Sequence, residues 1–309
     1  MNELVSVVIP TYRRSLMLER ALRSVLAQDY DFFEIVVVDD NGLDSPDSEF
    51  VTEIVASIGD DRVRIVRNKV NLGGAEARNE GIRASHGEFV AFLDDDDAYE
   101  RGKLSISIDR FRQDKDEKVA VVYGWATSIY DDGSTFVNNG VYEGCCIEQL
   151  LETRCIAATS QWVCRKSALL KVGGFTNTPA KQDSILMLKL LSAGYEVACV
   201  KKSLSLYYEH SKGRISGTKR TIEGERLLQE MGRKLYDRFD DEIIDRIEYS
   251  YEARLSVLFF AYGKIKEFWR HAVRARSYRC ASLGRDVCIP TLRIVKANIN
   301  NIILKKDSR

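Results

Sequence analysis

A doubly wound α/β sheet is the fold class that the sequence predicts over its first hundred residues, and three features carry that prediction. Short β-branched runs, "LVSVVI" at 4–9 and "FEIVVV" at 33–38, are of the kind buried in a parallel sheet. Polar or turn-forming residues follow each run. An amphipathic stretch separates them, and strand and helix patterns then alternate. Sheets of this kind collect ligands at the carboxyl ends of their strands.

The elements follow in order. Leu18, Leu22, Val25 and Leu26 recur at i, i+4, i+7 and i+8, one face of a helix with Ser15 as the candidate N-cap. Phe50, Val51, Ile54, Val55 and Ile58 mark a second helix. "VRIV" at 63–66 reads as a strand, about Ala75 to Ser85 as a helix, and "EFVAFL" at 88–93 as a strand. After a strand near "VAVVYG" the pattern loosens into Gly-rich turns, a short strand at "SQWVCR", a helix at 166–172 and the turn "GGF". A helix follows Asp183, with Ile185, Leu186, Leu190 and Leu191 as its apolar positions, and then come the strand "YEVACV" and the segment "LYYEHSKGRIS". Only helical patterns appear from residue 218, so the expected division is 1–217 and a helical appendage, 218–309.

The bulk composition narrows the class. An apolar fraction of 45% over 309 residues is that of a folded globular protein. Lys+Arg and Asp+Glu balance at 46 each, which argues against a nucleic-acid partner. The balance hides an asymmetry: residues 263–309 carry 12 Lys/Arg against 3 Asp/Glu. "MNELVSVVIP" enters a strand with no room for a signal peptide, and no run is apolar enough to span a membrane, so a cytoplasmic location is expected. Seven cysteines without CxxC spacing read as reduced thiols, with the adjacent Cys145 and Cys146 as a packing choice.

Two acidic clusters stand at predicted strand ends: Asp39 and Asp40 after "IVVV", and Asp94, Asp95, Asp96 and Asp97 after "VAFL". At an effective dielectric near 20, two like charges about 4 Å apart repel by roughly 4 kcal/mol, which favours a shared cation. Hard divalent ions such as Mg²⁺ take one or two carboxylates and complete their shell with water and substrate phosphate. Gly73 and Gly74 open the helix that carries Arg78, a turn suited to an anion, with a bidentate phosphate donor one turn further on. Taken singly, these are ordinary turns, caps and solvated charges; their joint placement at strand ends makes the site.

"SVVIPTYRR", "FEIVVVDDN", "NLGGAEARNEGI", "GEFVAFLDDDD" and "KVGGF" followed by "QD" occur in consistent order over about residues 4–215. In these the chain resembles the family 2 glycosyltransferases, inverting nucleotide-sugar enzymes with the A-type glycosyltransferase fold. The resemblance does not reach the C-terminal third. It implies that Thr11 and Tyr12 line the nucleoside pocket, and that Asp40, beside Asp39, accepts a hydrogen bond from a base edge such as that of uracil. It implies that Arg78 meets the diphosphate, and that the DxD motif falls on Asp94, Asp95 and Asp96, with Asp96 ligating Mn²⁺ or Mg²⁺. In this reading Asp97 begins the following turn. An EF-hand fails, because Ala98 takes its third ligand position and Tyr99 the place of its glycine.

His210 matches a histidine that approaches the metal or diphosphate in related enzymes; an exposed structural histidine is the other reading. Asp183 matches the family's general base, which removes the acceptor hydroxyl's proton during in-line attack; by spacing alone it reads as an N-cap. Gln182 stands where the family usually has Glu, and Arg13 where it often has Asn. Trp162 and Tyr207 are sugar-stacking candidates whose alternative is the core. The Gln-x-x-Arg-Trp motif of processive synthases is absent, so one sugar per binding event is expected.

The implied function is transfer of one sugar from a nucleotide-diphosphate sugar, UDP-linked by expectation, to a glycan or lipid-linked acceptor in cell-surface polysaccharide biosynthesis. From Pro290 onward, Leu292, Val295, Ile299 and Ile302 share a helical face beside Arg293, Lys296, Lys305 and Lys306. This basic amphipathic stretch suits peripheral membrane contact, or packing on its own domain with a solvated basic side. The oligomeric state, a homo-oligomer included, is left open. A receiver-type signalling module would complete its domain within about 120 residues and carry its acidic pair after the first strand. A nucleotidyltransferase would need a Gly-rich loop after the first strand, where "PTYRR" has no glycine.

Overall fold

The computed structural model describes residues 3–156, 158–209, 219–278 and 284–291. In chain order they form β1 (Val5–Thr11), α1 (Ser15–Leu26), β2 (Phe33–Asp39), α2 (Pro46–Ile58), β3 (Val63–Arg67), α3 (Gly74–Ala84) and β4 (Phe89–Phe92). Next come β5 (Ala98–Tyr99), α4 (Lys103–Arg112), β6 (Val119–Tyr130), β7 (Thr135–Asn138), α5 (Ile147–Thr153), β8 (Trp162–Arg165), α6 (Lys166–Lys171), α7 (Gln182–Ser192) and β9 (Glu196–Glu209). The helices α8 (Lys219–Arg233), α9 (Asp241–Ala261) and α10 (Ile265–Arg276) follow. Two compact units result. The first comprises Met1–Ile147, Cys155–Thr178 and Gln182–Arg214; the second comprises Glu148–Arg154, Pro179–Lys181 and Ile215–Arg309.

The first unit is built on a nine-stranded sheet of order β3-β2-β1-β4-β8-β6-β9-β5, with β7 paired to β6. β3, β2, β1 and β4 are parallel neighbours, and β6 and β9 are parallel to each other, while β8, β7 and β5 pair antiparallel. One face of β1 and β2 buries Val5, Val7, Ile9, Ile35 and Val37 against Leu18, Leu22 and Val25 of α1. On the other face α3 comes so close that a Cβ at Gly81 would lie 2.2 Å from a Val8 methyl. Gly81 therefore sets the approach of α3, and with it the position of Arg78 one turn earlier.

Several sequence expectations need correction. Arg14, not Ser15, occupies the N-cap position of α1, and Ser15 is the first helical residue. Helix α2 starts at Pro46, four residues before its first apolar marker, because the Ser45 side chain caps the Asp47 N–H at 3.3 Å and Pro46 takes the first helical position. The strand read at 195–200 continues to Glu209, and the stretch after "VAVVYG" stays extended to Tyr130 and returns as β7. Cross-strand pairing among β6, β7 and β9 holds these segments extended where local pattern does not.

In the second unit, Leu255 and Phe259 of α9 pack with Phe268, Ala272 and Ala275 of α10. Glu225 of α8, 1% exposed, is the hub of its charges: Arg154 Nε and Lys181 Nζ lie 3.0 and 2.9 Å from its carboxylate, and Arg254 Nε 3.6 Å. No helix among the described residues is long and apolar enough to cross a membrane.

Candidate functional site

The parallel sheet divides at β1, which has β2 on one side and β4 on the other, so the carboxyl ends of β1 and β4 open a crevice at a topological switch point. Thr11 ends β1, and the four aspartates follow β4. They form a tight turn. The Asp97 N–H donates to the Asp94 carbonyl at 3.0 Å, so Asp97 closes this turn, and β5 starts at the next residue in place of the following turn expected there. Asp94, Asp96 and Asp97 bring carboxylate oxygens within 4.8 Å of one another. Asp95 turns inward, where its carboxylate accepts from Thr11 Oγ1 at 2.8 Å. Burial pushes Asp95 up to about 7; the Thr11 hydrogen bond and Arg14 oppose the shift, and the charges of Asp96 and Asp94 add to it.

A residue that sequence reasoning missed holds the turn. Ser160, buried in the short helical turn before β8, accepts from the Asp94 N–H at 3.0 Å and donates to Asp97 Oδ2 at 2.7 Å. One hydroxyl thus ties both ends of the turn. Its backbone carbonyl accepts from Ser205 Oγ at 2.8 Å, and Lys103 Nζ donates to the neighbouring Gln161 carbonyl at 2.8 Å. Lys103 is fully buried against the Tyr99 ring, and burial pushes its ammonium down to about 7. Ser160→Ala is expected to cost about 1–3 kcal/mol, read from urea unfolding, because it strips a partner from a half-buried N–H and a buried carboxylate. An unchanged unfolding midpoint would mean that the bridge contributes nothing to stability.

Three guanidinium groups offset the acidic turn. Arg14 pairs with Asp96 and stands 3.7 Å from Asp95. Arg20 donates to the Asp96 carbonyl at 2.5 Å and stacks 3.5 Å from the Tyr208 ring centroid. Arg78 pairs with Asp94 while Nη1 donates to the Gly74 carbonyl at 3.2 Å. The sequence reading singled out only Arg78, because the turn's register with α1 and β9 is a tertiary fact.

Around β2, Asp39 accepts from the Asn41 N–H and side-chain amide and from Ser48 Oγ. Asp40 accepts from Asn68 and Asn71 amides at 2.7 and 3.0 Å and from the Leu72 and Gly73 N–H groups at 2.8 and 2.9 Å. Those four donors occupy the lone-pair sites of the carboxylate, so Asp40 braces the loop that leads into α3. Tyr12 is 40% exposed, with the Arg13 guanidinium 5.0 Å from its ring. Arg13 has φ +56°, a region that asparagine enters more easily than arginine does.

Asp183 is not the N-cap of α7 but its second residue, half-buried, accepting from the Ser184 N–H at 2.7 Å. Gln182 Oε1 would lie 3.7 Å from a Cβ at Gly74, which sets the start of α7 beside the start of α3. The segment before α7 is anchored by Asn79, also missed, which donates to the Phe175 carbonyl at 2.9 Å and accepts from the Phe175 N–H at 2.8 Å. Gly173 and Gly174, at φ +72° and +61°, make that exchange possible, and a Cβ at Gly174 would meet Asn79 Oδ1 at 2.4 Å. Tyr207 is half-buried, with its hydroxyl buried and without a hydrogen-bond partner among the described residues. Burial, then the charges of Asp97, Asp94, Tyr99 and Asp183, hold it well above the usual phenol range. Trp162 is wholly buried, which is the core reading for it. His210 and the stretch from Leu292 onward lie outside the described residues.

Fold and site together define an α/β protein whose carboxylates and guanidinium groups gather at a sheet switch point. The chain belongs to glycosyl transferase family 2, whose family model matches residues 6–172. It is 37% identical over 121 residues to the GalNAc(5)-diNAcBac-PP-undecaprenol beta-1,3-glucosyltransferase of Campylobacter jejuni subsp. jejuni, covering 39% of this chain and 37% of that one. The curated relatives first matched are aligned over less than two thirds of their own length. Among solved structures, TarS 1–349 of S. aureus with UDP-GlcNAc superposes at TM-score 0.63 and 16% identity, covering 89% of this chain and 92% of that one. The mannosyltransferase PcManGT of Pyrobaculum calidifontis, solved with GDP-Man and Mn²⁺, superposes at TM-score 0.54 and 17% identity, covering 97% and 80%. The fold is therefore the A-type glycosyltransferase fold with C-terminal helices, and the receiver and nucleotidyltransferase readings fall away with the family match.

Proposed function

We propose that the chain is an inverting, non-processive glycosyltransferase that moves one sugar from a UDP-sugar to a glycan or lipid-linked acceptor at the cytoplasmic face of a membrane, in the assembly of a surface polysaccharide. The observation that carries this reading is the convergence of Asp94, Asp96 and Asp97 at the switch point, with Arg78 on Asp94 and the start of α7 beside the start of α3. A group of three carboxylates, joined by no histidine or cysteine among the described residues, fits a hard divalent ion such as Mn²⁺ or Mg²⁺. Asp94, Asp96 and Asp97 would hold it, and it would supply charge neutralisation for the departing diphosphate. His210 is a further proposed ligand.

The chain's own groups divide the remaining work. Thr11 acts through Asp95, fixing the inner side of the turn, and Tyr12 offers an exposed ring to the base. Asp40 holds the 71–73 loop in place, and a contact from its carboxylate to a base N–H requires one of its four present donors to move aside. Arg78, freed from Asp94 by a diphosphate, supplies a bidentate donor. Asp183 takes the acceptor hydroxyl's proton as that oxygen attacks the anomeric carbon from the face opposite the leaving diphosphate. The undecaprenol-linked substrate in the name of the Campylobacter relative, and the UDP-GlcNAc complex of TarS, support the acceptor and donor classes.

Calorimetric titration with UDP, with and without Mn²⁺, tests the reading. UDP binding is expected to need the metal, and Asp96→Ala to weaken it by about 100-fold or more, since loss of a group that only orients a ligand already costs 10–100-fold. Metal-independent binding equal in the variant would remove the metal role. No binding of UDP under either condition would remove the uridine donor.

A further inference from the structure

Helix α10 has two apolar faces. Phe268, His271, Ala272 and Ala275 are buried, with Phe268, Ala272 and Ala275 in the core shared with α9. On the outside, Ile265, Trp269 and Val273 recur at i, i+4 and i+8 and are 50%, 60% and 66% exposed. A cationic row runs one residue behind them, Lys266, Arg270 and Arg274, all exposed, with exposed Lys264 and Arg276 at the two ends. Arg274 has Glu252 at 3.9 Å, and the helix itself carries a single acid, Glu267, half-buried. A helix that already buries one face gains nothing in water from a second row of Ile, Trp and Val.

We propose that α10 is the element by which the protein docks onto an anionic phospholipid surface. The apolar row would enter the headgroup and acyl boundary, Trp269 would sit at the level where aromatic side chains collect, and the parallel cations would meet phosphate groups. Each cation near the headgroups strengthens partition by about fivefold, and the apolar row adds the depth that cations alone lack. Charge decides between a bilayer and a second copy of the chain. Pairing this face with itself across a two-fold axis would bring two rows of Lys and Arg together, whereas anionic headgroups neutralise them. This inference deepens the lipid-linked acceptor reading, on which it rests, and locates the contact in α10, apart from the stretch beyond residue 291.

Vesicle flotation with the full chain tests it, using phosphatidylcholine vesicles with and without phosphatidylglycerol, alongside tryptophan emission. Of the three tryptophans, Trp162 is buried and Trp125 half-buried, so an emission shift on adding vesicles reports Trp269. The expected result is salt-sensitive binding to the phosphatidylglycerol vesicles only, with a blue shift that Trp269→Phe abolishes. The Lys266→Glu/Arg270→Glu variant is expected to bind at least about tenfold more weakly. Three results would each overturn the proposal. One is no binding to either vesicle; another is full binding by Lys266→Glu/Arg270→Glu that Arg293→Glu/Lys296→Glu abolishes; the third is a concentration-dependent dimer that Trp269→Ala dissolves and vesicles leave intact. UDP titration of the same samples is a separate readout, so a failure of docking and a failure of the transferase reading are told apart.

Discussion

Asp183→Asn is expected to lower kcat for sugar transfer by about 10²–10⁴-fold while leaving UDP affinity within about threefold of the unaltered protein. The substitution keeps size and shape, and the new side-chain oxygen can still accept from the Ser184 N–H, which Asp183 now holds at 2.7 Å. What is lost is the negative charge and the ability to take a proton. That charge sits in the first turn of α7. Initial rates of UDP release with a lipid-linked saccharide acceptor, together with UDP titration, check the expectation. A kcat within about threefold of the unaltered protein would return Asp183 to a structural role, and a parallel loss of UDP binding would show damage to the donor site.

Glu225→Gln is expected to destabilise the second unit by about 3–5 kcal/mol, the largest stability effect anticipated in the molecule. The carboxylate is buried among Arg154, Lys181 and Arg254, and a neutral amide would leave those cations facing one another across an uncharged group. Burial by itself raises the pKa of Glu225, but the charges of Arg154, Lys181 and Arg254 outweigh it and hold the group at about 2, below its ordinary 4.5. The sign follows from linkage. A carboxyl group whose folded pKa is depressed contributes stability that is complete above the unfolded value near 4.5 and is lost as pH falls from there toward 2. Urea unfolding followed between about pH 7 and pH 3 should show a steeper acid loss in the unaltered protein than in Glu225→Gln. Identical slopes would mean that the cluster is not coupled to folding through this carboxylate.

The first hundred residues were legible because their signals are local. Runs such as "FEIVVV" are buried on both faces, and Leu18, Leu22 and Val25 repeat at helical spacing, so neighbours in sequence carry the pattern. β7 and the second half of β9 were not legible, because the segments 135–138 and 201–209 are held extended by pairing with β6, which β7 meets as its hairpin partner and β9 from far away in the chain. Within the site the acidic turn was plain from composition. Its internal division was not: Asp95 faces Thr11, 84 residues away, and Asp97 faces Ser160, 63 residues away. Ser160 and Asn79 lie in unremarkable local contexts, and only the residues they bond to give them meaning. The signal for Asn79 that was available is its place directly after Arg78 in "NLGGAEARNEGI", on a helix that Gly81 lets approach the sheet.

By itself the sequence determined an α/β sheet with acids at two strand ends, a glycine turn opening an arginine-bearing helix, and a basic C-terminal stretch. These depend on periodicity and on residue chemistry over short windows, which a chain carries whatever its remote contacts. The tertiary structure alone decided which three carboxylates converge, that Arg14 and Arg20 join Arg78 around them, and that Asp40 spends its lone pairs on a loop. It also decided that residues 148–154 and 179–181 belong with the C-terminal helices, through the charges that meet at Glu225. The physical reason is the same in each case: direction and distance between side chains far apart in the chain are set by strand order and helix packing, and no local pattern encodes them.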